Sequence, residues 1–194
     1  MTSYGEAATV DARRQQDWML LALAQAKRAL DAGEAPIGCA LLRPDGTVIA
    51  EGHNTMVGTG IVTAHAEMNA FAAAADKVAP GRPTVLVSSL EPCVMCTGAA
   101  MQAGVTTIIY GLQAPADSGT SRVHPPESPG STRPEIIGRI GADESRALFY
   151  RWLKMHAGDE SRSEQRAFIE QLLELTQDGE KPREIAEDTL QVDA

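Results

Sequence analysis

The sequence predicts an α/β domain, a three-layer α/β/α sandwich around a central five-stranded mixed sheet. One observation is the alternation of short, β-branched apolar segments with longer alanine- and leucine-rich segments, in the order α-β-β-α-β-α-β-loop-β-α. The other is size, because 194 residues, 43% of them hydrophobic, suffice for one core of this kind and are few for two. We therefore predict a domain over residues 1–156 and an acidic helical extension and tail over residues 157–194.

The first predicted elements are a helix and a β-hairpin. Residues 12–32 fit a helix that ends at Gly33, because apolar side chains recur at helical spacing at Met19, Leu23, Ala26 and Leu30. Residues 37–42 fit a buried strand, and residues 47–50 fit its hairpin partner across a Pro-Asp-Gly turn. Residues 51–62 then form a loop.

The remaining elements alternate between helix and strand. Alanine is a strong helix former, whereas β-branched apolar runs fit strands that are buried on both faces. In chain order these elements are a helix at 65–78, a strand at 84–88, a helix at 93–103, a strand at 105–110, a Gly-, Pro- and Ser-rich loop at 111–134, a strand at 135–140, and helices at 143–156 and 163–177. In the helix at 143–156, Phe149 and Trp152 are expected in the core.

The two ends of the chain differ from its middle. Residues 1 to about 11 lack periodicity and are expected to be a loose end. The helix at 163–177 carries an apolar stripe through Phe168 that must cover either its own domain or a second subunit. Residues 157–194 contain eleven acidic and four basic residues, so most of the net charge of -9 lies there, and the final residues are expected to be mobile.

Charge and hydropathy restrict the partners and the location. Residues 1–156 are near neutral and contain no basic run, which disfavours, without excluding, a nucleic-acid partner. The first residues are polar, and no apolar run approaches the roughly 20 residues of a membrane span. Three cysteines, two of them in a C-x-x-C pair, suit metal or redox chemistry better than a secreted disulfide framework. We expect a soluble cytoplasmic protein with no membrane partner.

Four reactive side chains lie at the starts of two predicted helices. His65 and Glu67 begin one helix, and Cys93 and Cys96 follow Pro92 at the start of the next. Cysteines three residues apart share one side of a helix, and the dipole at its N-terminus favours the thiolate. One imidazole and two thiolates suit Zn²⁺ and leave its fourth position open for water. We therefore predict that His65, Cys93 and Cys96 bind a zinc ion.

Glu67 is the predicted catalytic residue. A zinc ion lowers the pKa of a bound water from about 15.7 to about 7, which makes hydroxide available at neutral pH. Glu67, two residues from His65, can take the proton of that water and pass it to a leaving group. These groups predict hydrolytic attack on an electron-poor carbon that bears an amino group, with ammonia as the product.

Two other interpretations of the C-x-x-C pair stay open. A redox pair leaves His65 and Glu67 without a role. A closed structural zinc site, in a non-catalytic binding module, requires a fourth ligand such as Cys39 or His53. Cys39 lies inside an apolar strand and also fits a small buried hydrophobe.

The combined pattern H-x-E…P-C-x-x-C, present from His65 to Glu67 and from Pro92 to Cys96, resembles the zinc-dependent cytidine and deoxycytidylate deaminase superfamily. The likeness covers about residues 17–111 and is greatest to the branch of tRNA adenosine deaminases and guanine deaminases. It implies a cytidine deaminase-like fold, zinc ligands at His65, Cys93 and Cys96, and Glu67 as the proton shuttle.

The same resemblance implies substrate contacts and an assembly. Asn54, in the segment Gly52-His53-Asn54, is expected to hold the substrate ring, and the backbone at Ala64 and Pro92 is expected to contact it. Relatives in this superfamily form dimers or tetramers, so we expect a homodimer. In the loop at 111–134, Arg122 and His124 either cap the pocket and set specificity or belong to an exposed variable loop.

The substrate is predicted less sharply than the reaction. Recognition of RNA needs Lys or Arg for phosphates and aromatic residues for stacking, and residues 111–120 contain no Lys or Arg. Met56 also stands where a proline is usual in the tRNA adenosine deaminases. We therefore expect a free nucleobase or nucleoside, purine before pyrimidine, such as guanine or adenine. The alternative is adenosine-to-inosine deamination in tRNA.

Overall fold

The computed structural model describes residues 11–176, and a mixed sheet lies at its centre. The five strands are β1 (Gly38–Leu42), β2 (Val48–His53), β3 (Val85–Leu90), β4 (Thr107–Leu112) and β5 (Glu135–Ile137). They lie in the order β2-β1-β3-β4-β5. β1 pairs antiparallel with β2 and β3, whereas β3 and β4, and β4 and β5, are parallel. The predicted five-stranded mixed sheet is confirmed.

Helices connect and cover these strands. In the described part of the chain they are α1 (Ala12–Asp31), α2 (Met56–Thr59), α3 (Ala66–Ala74), α4 (Val94–Gln102), α5 (Ala142–Met155) and α6 (Ser163–Leu175). The end of α1 follows the sequence signal, because Gly33 has a φ of 75°, which glycine adopts without strain. Within residues 11–176, none of these helices combines the length and the apolarity needed to cross a bilayer.

The two faces of the sheet carry separate cores. Side chains of α1, α5 and α6 pack against one face, where they meet residues such as Leu42 and Val85. Side chains of α3 and α4 pack against the other face, with Leu41 and Leu86. Leu41 and Leu42 belong to opposite cores because successive side chains of a strand point to opposite faces. The predicted three-layer arrangement is therefore confirmed.

The C-terminal helix α6 covers its own domain. The buried residues of this helix, Ile169, Leu172 and Leu173, lie in the core that α1 and α5 share. The apolar stripe of the helix is therefore covered by the same chain. Phe149 and Trp152 of α5 are fully buried in the same core, as predicted. The division of the chain at residue 156 stays a prediction, and the loose N-terminal end and mobile acidic tail fall mainly on residues 1–10 and 177–194, outside the described residues.

The strand boundaries differ from the predicted ones by one to three residues: β3 and β4 each end two residues later than predicted, and the largest differences are at β2 and β5. β2 continues to His53 because its backbone pairs with β1 as far as Gly38, and as an edge strand it tolerates polar residues on its open side. β5 ends at Ile137, three residues early, and Arg139 then takes a φ of 70° that is incompatible with a strand. The predicted loop at 51–62 also contains the short helix α2.

Two glycines allow helices to lie unusually close to the sheet. A Cβ atom at Gly38 would overlap the Ala22 oxygen and the Ala26 nitrogen of α1. A Cβ atom at Gly52 would overlap the Ala66 oxygen of α3 in the same way. Because backbone atoms of a helix cannot move aside singly, any side chain at these positions displaces the whole helix. The close approach at Gly52 also sets the distance of α3, which begins directly after His65, from the sheet.

We expect Gly38→Ala to lower the free energy of unfolding by about 3 kcal/mol or more, because the added methyl group forces α1 off the sheet. Chemical denaturation of the purified protein measures this change. The matched control is Gly98→Ala inside α4, where an added Cβ has no neighbour within 4 Å. That variant should gain about 0.5–1 kcal/mol, and equal stability of the two variants would contradict the close packing of α1.

Candidate metal centre and active site

The three predicted zinc ligands converge at the N-termini of two helices. His65 is the residue before α3, Cys93 is the residue before α4, and Cys96 lies in the first turn of α4. The Nδ1 atom of His65 lies 3.6 Å from the Cys93 sulfur and 3.7 Å from the Cys96 sulfur. All three ligand atoms lie within 4.8 Å of one another. The predicted metal-binding residues are therefore brought together by the fold.

These distances suit a tetrahedral zinc ion. With bonds of about 2.0 Å to nitrogen and about 2.3 Å to sulfur, tetrahedral angles place a ligand nitrogen roughly 3.5 Å from a ligand sulfur. The nitrogen–sulfur–sulfur donor set also matches the chemical preference of zinc. The site fits this ion with three protein ligands, which leaves one coordination position for a small molecule.

The local electrostatics favour a thiolate, the form of cysteine that binds metals, at Cys93 and a neutral thiol at Cys96. A hydrogen bond from the Cys96 thiol, reinforced by His65, lowers the pKa of Cys93 to about 4. The same hydrogen bond and burial raise the pKa of Cys96. Binding of a cation to both sulfurs therefore releases the proton of Cys96, as expected when metal ions displace protons from their ligands.

Glu67 is a buried carboxyl group beside the metal-binding residues. It lies in the first turn of α3 with only 3% of its surface exposed, and its Oε1 atom accepts a hydrogen bond of 2.9 Å from the Ser88 hydroxyl of β3. Burial raises the pKa of Glu67 above its ordinary value. A carboxyl group in this setting can take up a proton and release it again.

A cavity of about 320 Å³ opens onto this cluster. Four of the predicted site residues line it: Asn54, His65, Glu67 and Cys93. Ala64 and Pro92 are buried beside it without lining it, and His124 is exposed elsewhere on the loop. The predicted substrate contacts at Ala64, Pro92 and His124 stay predictions. The volume lies at the lower end of the range for small-molecule sites.

Asn54 is held in place by a buried carboxylate that is not among the site residues predicted from the sequence. Glu34 is 3% exposed, and its Oε2 atom accepts a hydrogen bond of 3.2 Å from the Asn54 side-chain nitrogen. It also accepts hydrogen bonds from the backbone nitrogens of Val57 and Gly58. Because a carboxylate only accepts, this contact fixes the orientation of the Asn54 amide. No sequence motif marks Glu34, since it is a single acidic residue between a helix and a strand.

A second buried carboxylate, Glu91, fastens the segment that follows β4. Glu91 accepts hydrogen bonds from the Ala114 backbone nitrogen and from the Ser118 and Thr120 hydroxyls. In the same place the Pro92 carbonyl accepts a hydrogen bond of 2.9 Å from the Gly119 nitrogen. The start of the predicted long loop is therefore bound tightly to the metal-binding segment.

This fastening brings Asp117 to the cavity wall. Partial burial raises the pKa of the Asp117 carboxyl group. Arg122, predicted either to cap the pocket or to be exposed, is exposed and donates hydrogen bonds of 2.8 Å to the Ala116 and Pro115 carbonyls. It therefore holds the segment that carries Asp117.

The helix α6 supplies another wall of the cavity through Glu164, Gln165 and Phe168. The sequence predicts an apolar stripe through Phe168 that needs a covering surface. It carries no signal that this helix borders the metal-binding residues, because the helical spacing of a stripe does not identify the surface against which it packs.

The structural-zinc alternative with Cys39 or His53 as a ligand has no geometric support. Among residues 11–176, the metal-capable cluster consists of His65, Cys93 and Cys96 alone. Cys39 is fully buried in β1 and belongs to the core between the sheet and α3. Burial also raises the pKa of its thiol, so Cys39 behaves as a small apolar side chain.

Comparisons with known proteins agree with this geometry. Residues 12–112 match the cytidine and deoxycytidylate deaminase zinc-binding region. A tRNA(Ile)-lysidine synthase of Deinococcus deserti is 37% identical over 69% of this chain and 27% of its own length. A tRNA-specific adenosine deaminase of Streptococcus pyogenes is 38% identical over 50% of this chain and 62% of its own length. The chain thus spans less than two thirds of the length of these relatives.

Solved structures show the same fold. A structure from work on A-to-I editing by tRNA:A34 deaminases is 31% identical with a TM-score of 0.59, covering 68% of this chain and 98% of that chain. Guanine deaminase from Nitrosomonas europaea is 24% identical with a TM-score of 0.59, covering 71% of this chain and 83% of that chain. The second likeness concerns the fold alone.

We expect the purified protein to contain about one zinc ion per chain and Cys96→Ala to lose it, because two ligands hold zinc far less well than three. Elemental analysis after gel filtration measures the metal content. Cys39→Ala is the matched control and should keep its zinc. A folded Cys39→Ala protein without zinc would show that the metal site is assembled differently.

Proposed function

Since this chain belongs to the family defined by the cytidine and deoxycytidylate deaminase zinc-binding region, we propose that it is a zinc-dependent hydrolase of amino-substituted nucleobases or nucleosides. The reaction adds water to the carbon that bears the amino group, breaks the carbon–nitrogen bond and releases ammonia. The observation that carries the proposal is the meeting of His65, Cys93 and Glu67 in the wall of one cavity.

The roles of the metal-binding residues follow from their chemistry. His65, Cys93 and Cys96 would hold the zinc ion, which supplies a Lewis acid and lowers the pKa of a water molecule. Their positions at the N-termini of α3 and α4 place the ligand atoms at the cavity wall, where a small molecule can reach the open coordination position.

Glu67 would move the protons of the reaction. It takes a proton from the attacking water and delivers it to the departing amino group, so that ammonia leaves as a neutral molecule. Ser88 donates to one carboxyl oxygen of Glu67 and orients the group. Asn54, oriented by Glu34, would hold the substrate ring.

The walls of the cavity favour a small uncharged substrate. Four carboxyl groups line it, from Glu67, Glu91, Asp117 and Glu164, and no Lys or Arg of residues 11–176 does so. A phosphate group would meet repulsion without a compensating cation. Apolar walls such as Leu90 and Phe168 suit the faces of an aromatic ring. We therefore propose a free base or nucleoside, purine in preference to pyrimidine, as the substrate.

Deamination of adenosine in tRNA is the second candidate. It is supported by the likeness of this chain to a tRNA-specific adenosine deaminase and to a structure from work on tRNA:A34 deaminases. Binding of tRNA requires cations against its phosphates, and the cavity lining offers none within the described residues. The expected homodimer stays a prediction under both candidates.

Glu67→Gln should reduce ammonia release by about 10²- to 10⁴-fold, because an amide cannot accept and return the proton. Its zinc content should not change, since Glu67 lies outside the group of metal ligands. Ammonia is measured with a coupled assay and zinc by elemental analysis. The control is Glu51→Gln at an exposed position of β2. Unchanged ammonia release in Glu67→Gln would rule out this proton shuttle.

The substrate is tested by supplying guanine, adenine, adenosine, cytosine and cytidine in parallel with unmodified tRNA. We expect ammonia from at least one free base or nucleoside and weak tRNA binding, because the cavity lacks cations for phosphate groups. Tight tRNA binding that falls steeply with salt concentration would instead favour the second candidate.

A further inference from the structure

The helix α6 contributes Gln165 to the cavity wall, and a hydrogen bond from Arg162 orients the Gln165 amide group. Gln165 is half-buried and lines the cavity together with Glu67 and His65. Its Oε1 atom accepts a hydrogen bond of 3.1 Å from the Arg162 guanidinium. Because a guanidinium only donates, the oxygen of the Gln165 amide must face Arg162. The amide nitrogen is then left with two N–H donors, which have no hydrogen-bond partner among residues 11–176.

Asn54 is oriented in the opposite sense by Glu34. The carboxylate of Glu34 accepts a hydrogen bond from the Asn54 side-chain nitrogen, so the Asn54 side-chain oxygen remains as an acceptor. The cavity is therefore lined by one fixed amide that offers an acceptor and one that offers donors. A base that satisfies both must carry an N–H group toward Asn54 and a hydrogen-bond acceptor toward Gln165.

We propose that Gln165 is a specificity-determining residue that donates a hydrogen bond to a ring nitrogen or carbonyl oxygen of the substrate base. This inference rests on the proposed deaminase function and extends it to a requirement on the substrate. Phe168, one turn further along α6, forms the apolar part of the same wall. Arg162 positions Gln165 and does not itself line the cavity.

A hydrogen-bond donor held in one orientation discriminates between a substrate and its analogues more strongly than an apolar wall does. A site built to bond a polar atom rejects the analogue that lacks it, because the protein group is then left without a partner. An Arg–Gln pair at this spacing is also an ordinary feature of helix surfaces. The position of Gln165 in the same cavity wall as the metal-binding residues distinguishes it from such a pair.

The test compares Gln165→Met, which removes the donors, and Gln165→Glu, which replaces them with an acceptor, in the zinc-loaded full chain. Gln171→Glu is the matched control, because it adds the same charge at an exposed position of α6 outside this cavity. Binding of adenine and of 1-deaza-, 3-deaza- and 7-deazaadenine is measured by calorimetry in a Glu67→Gln background, where turnover is suppressed. Guanine and cytosine are measured alongside, and KM and kcat are determined in the Glu67-intact proteins.

We expect Gln165→Met to raise Kd and KM by about three- to tenfold, with kcat nearly unchanged and a larger increase for Gln165→Glu. One analogue should bind equally to Gln165 and to Gln165→Met, and it identifies the acceptor atom that Gln165 contacts. Changes below twofold for every base, equal losses for adenine and all three analogues, or an equal loss in Gln171→Glu would each overturn the inference.

Failure of the inference and failure of the proposed function have different signatures. If the unmodified protein releases ammonia from a base and Gln165→Met has no effect on KM, only the inference is wrong. If the unmodified protein neither binds nor deaminates any of the bases, both are wrong.

Discussion

The site depends on one constraint: the N-termini of two helices, α3 and α4, meet at the same end of the sheet. α3 enters this end from β2, and α4 leaves it from β3, so His65 and Cys93 stand at matching ends of neighbouring helices. Both helix dipoles then point their positive ends at the ligands and favour thiolates. The close approach that Gly52 allows fixes the height of α3 above the sheet. A shift of either helix by one residue would separate the three ligand atoms.

Three buried glutamates lie around the site, and they differ in the groups that donate hydrogen bonds to them. Glu34 and Glu91 each accept three, and both fasten loops to the site. Glu67 lies beside the metal-binding residues and accepts a hydrogen bond from the Ser88 hydroxyl. Burial raises the pKa of Glu67 above its ordinary value, which suits a group that takes up and releases a proton. The structure therefore separates positioning carboxylates from the proposed proton shuttle.

The helix α6 connects the stability of the fold with the shape of the cavity. One side of it, through Ile169 and Leu173, completes the core beneath the sheet. The adjacent side, through Gln165 and Phe168, closes the cavity. Since the same helix does both, its packing limits how large a substrate can enter.

The sequence by itself determined the order of the elements, the fold class, the metal-binding residues and Glu67. These features are local, because hydrophobic periodicity and the short spacings of H-x-E and C-x-x-C act within one helix or strand. Only the tertiary structure decided that Glu34 orients Asn54, that Glu91 fastens the Asp117 segment, and that Gln165 reaches the cavity. Each of these depends on a hydrogen bond or a burial between residues far apart in the chain. No local pattern encodes such contacts, since they arise only when packing brings distant elements together.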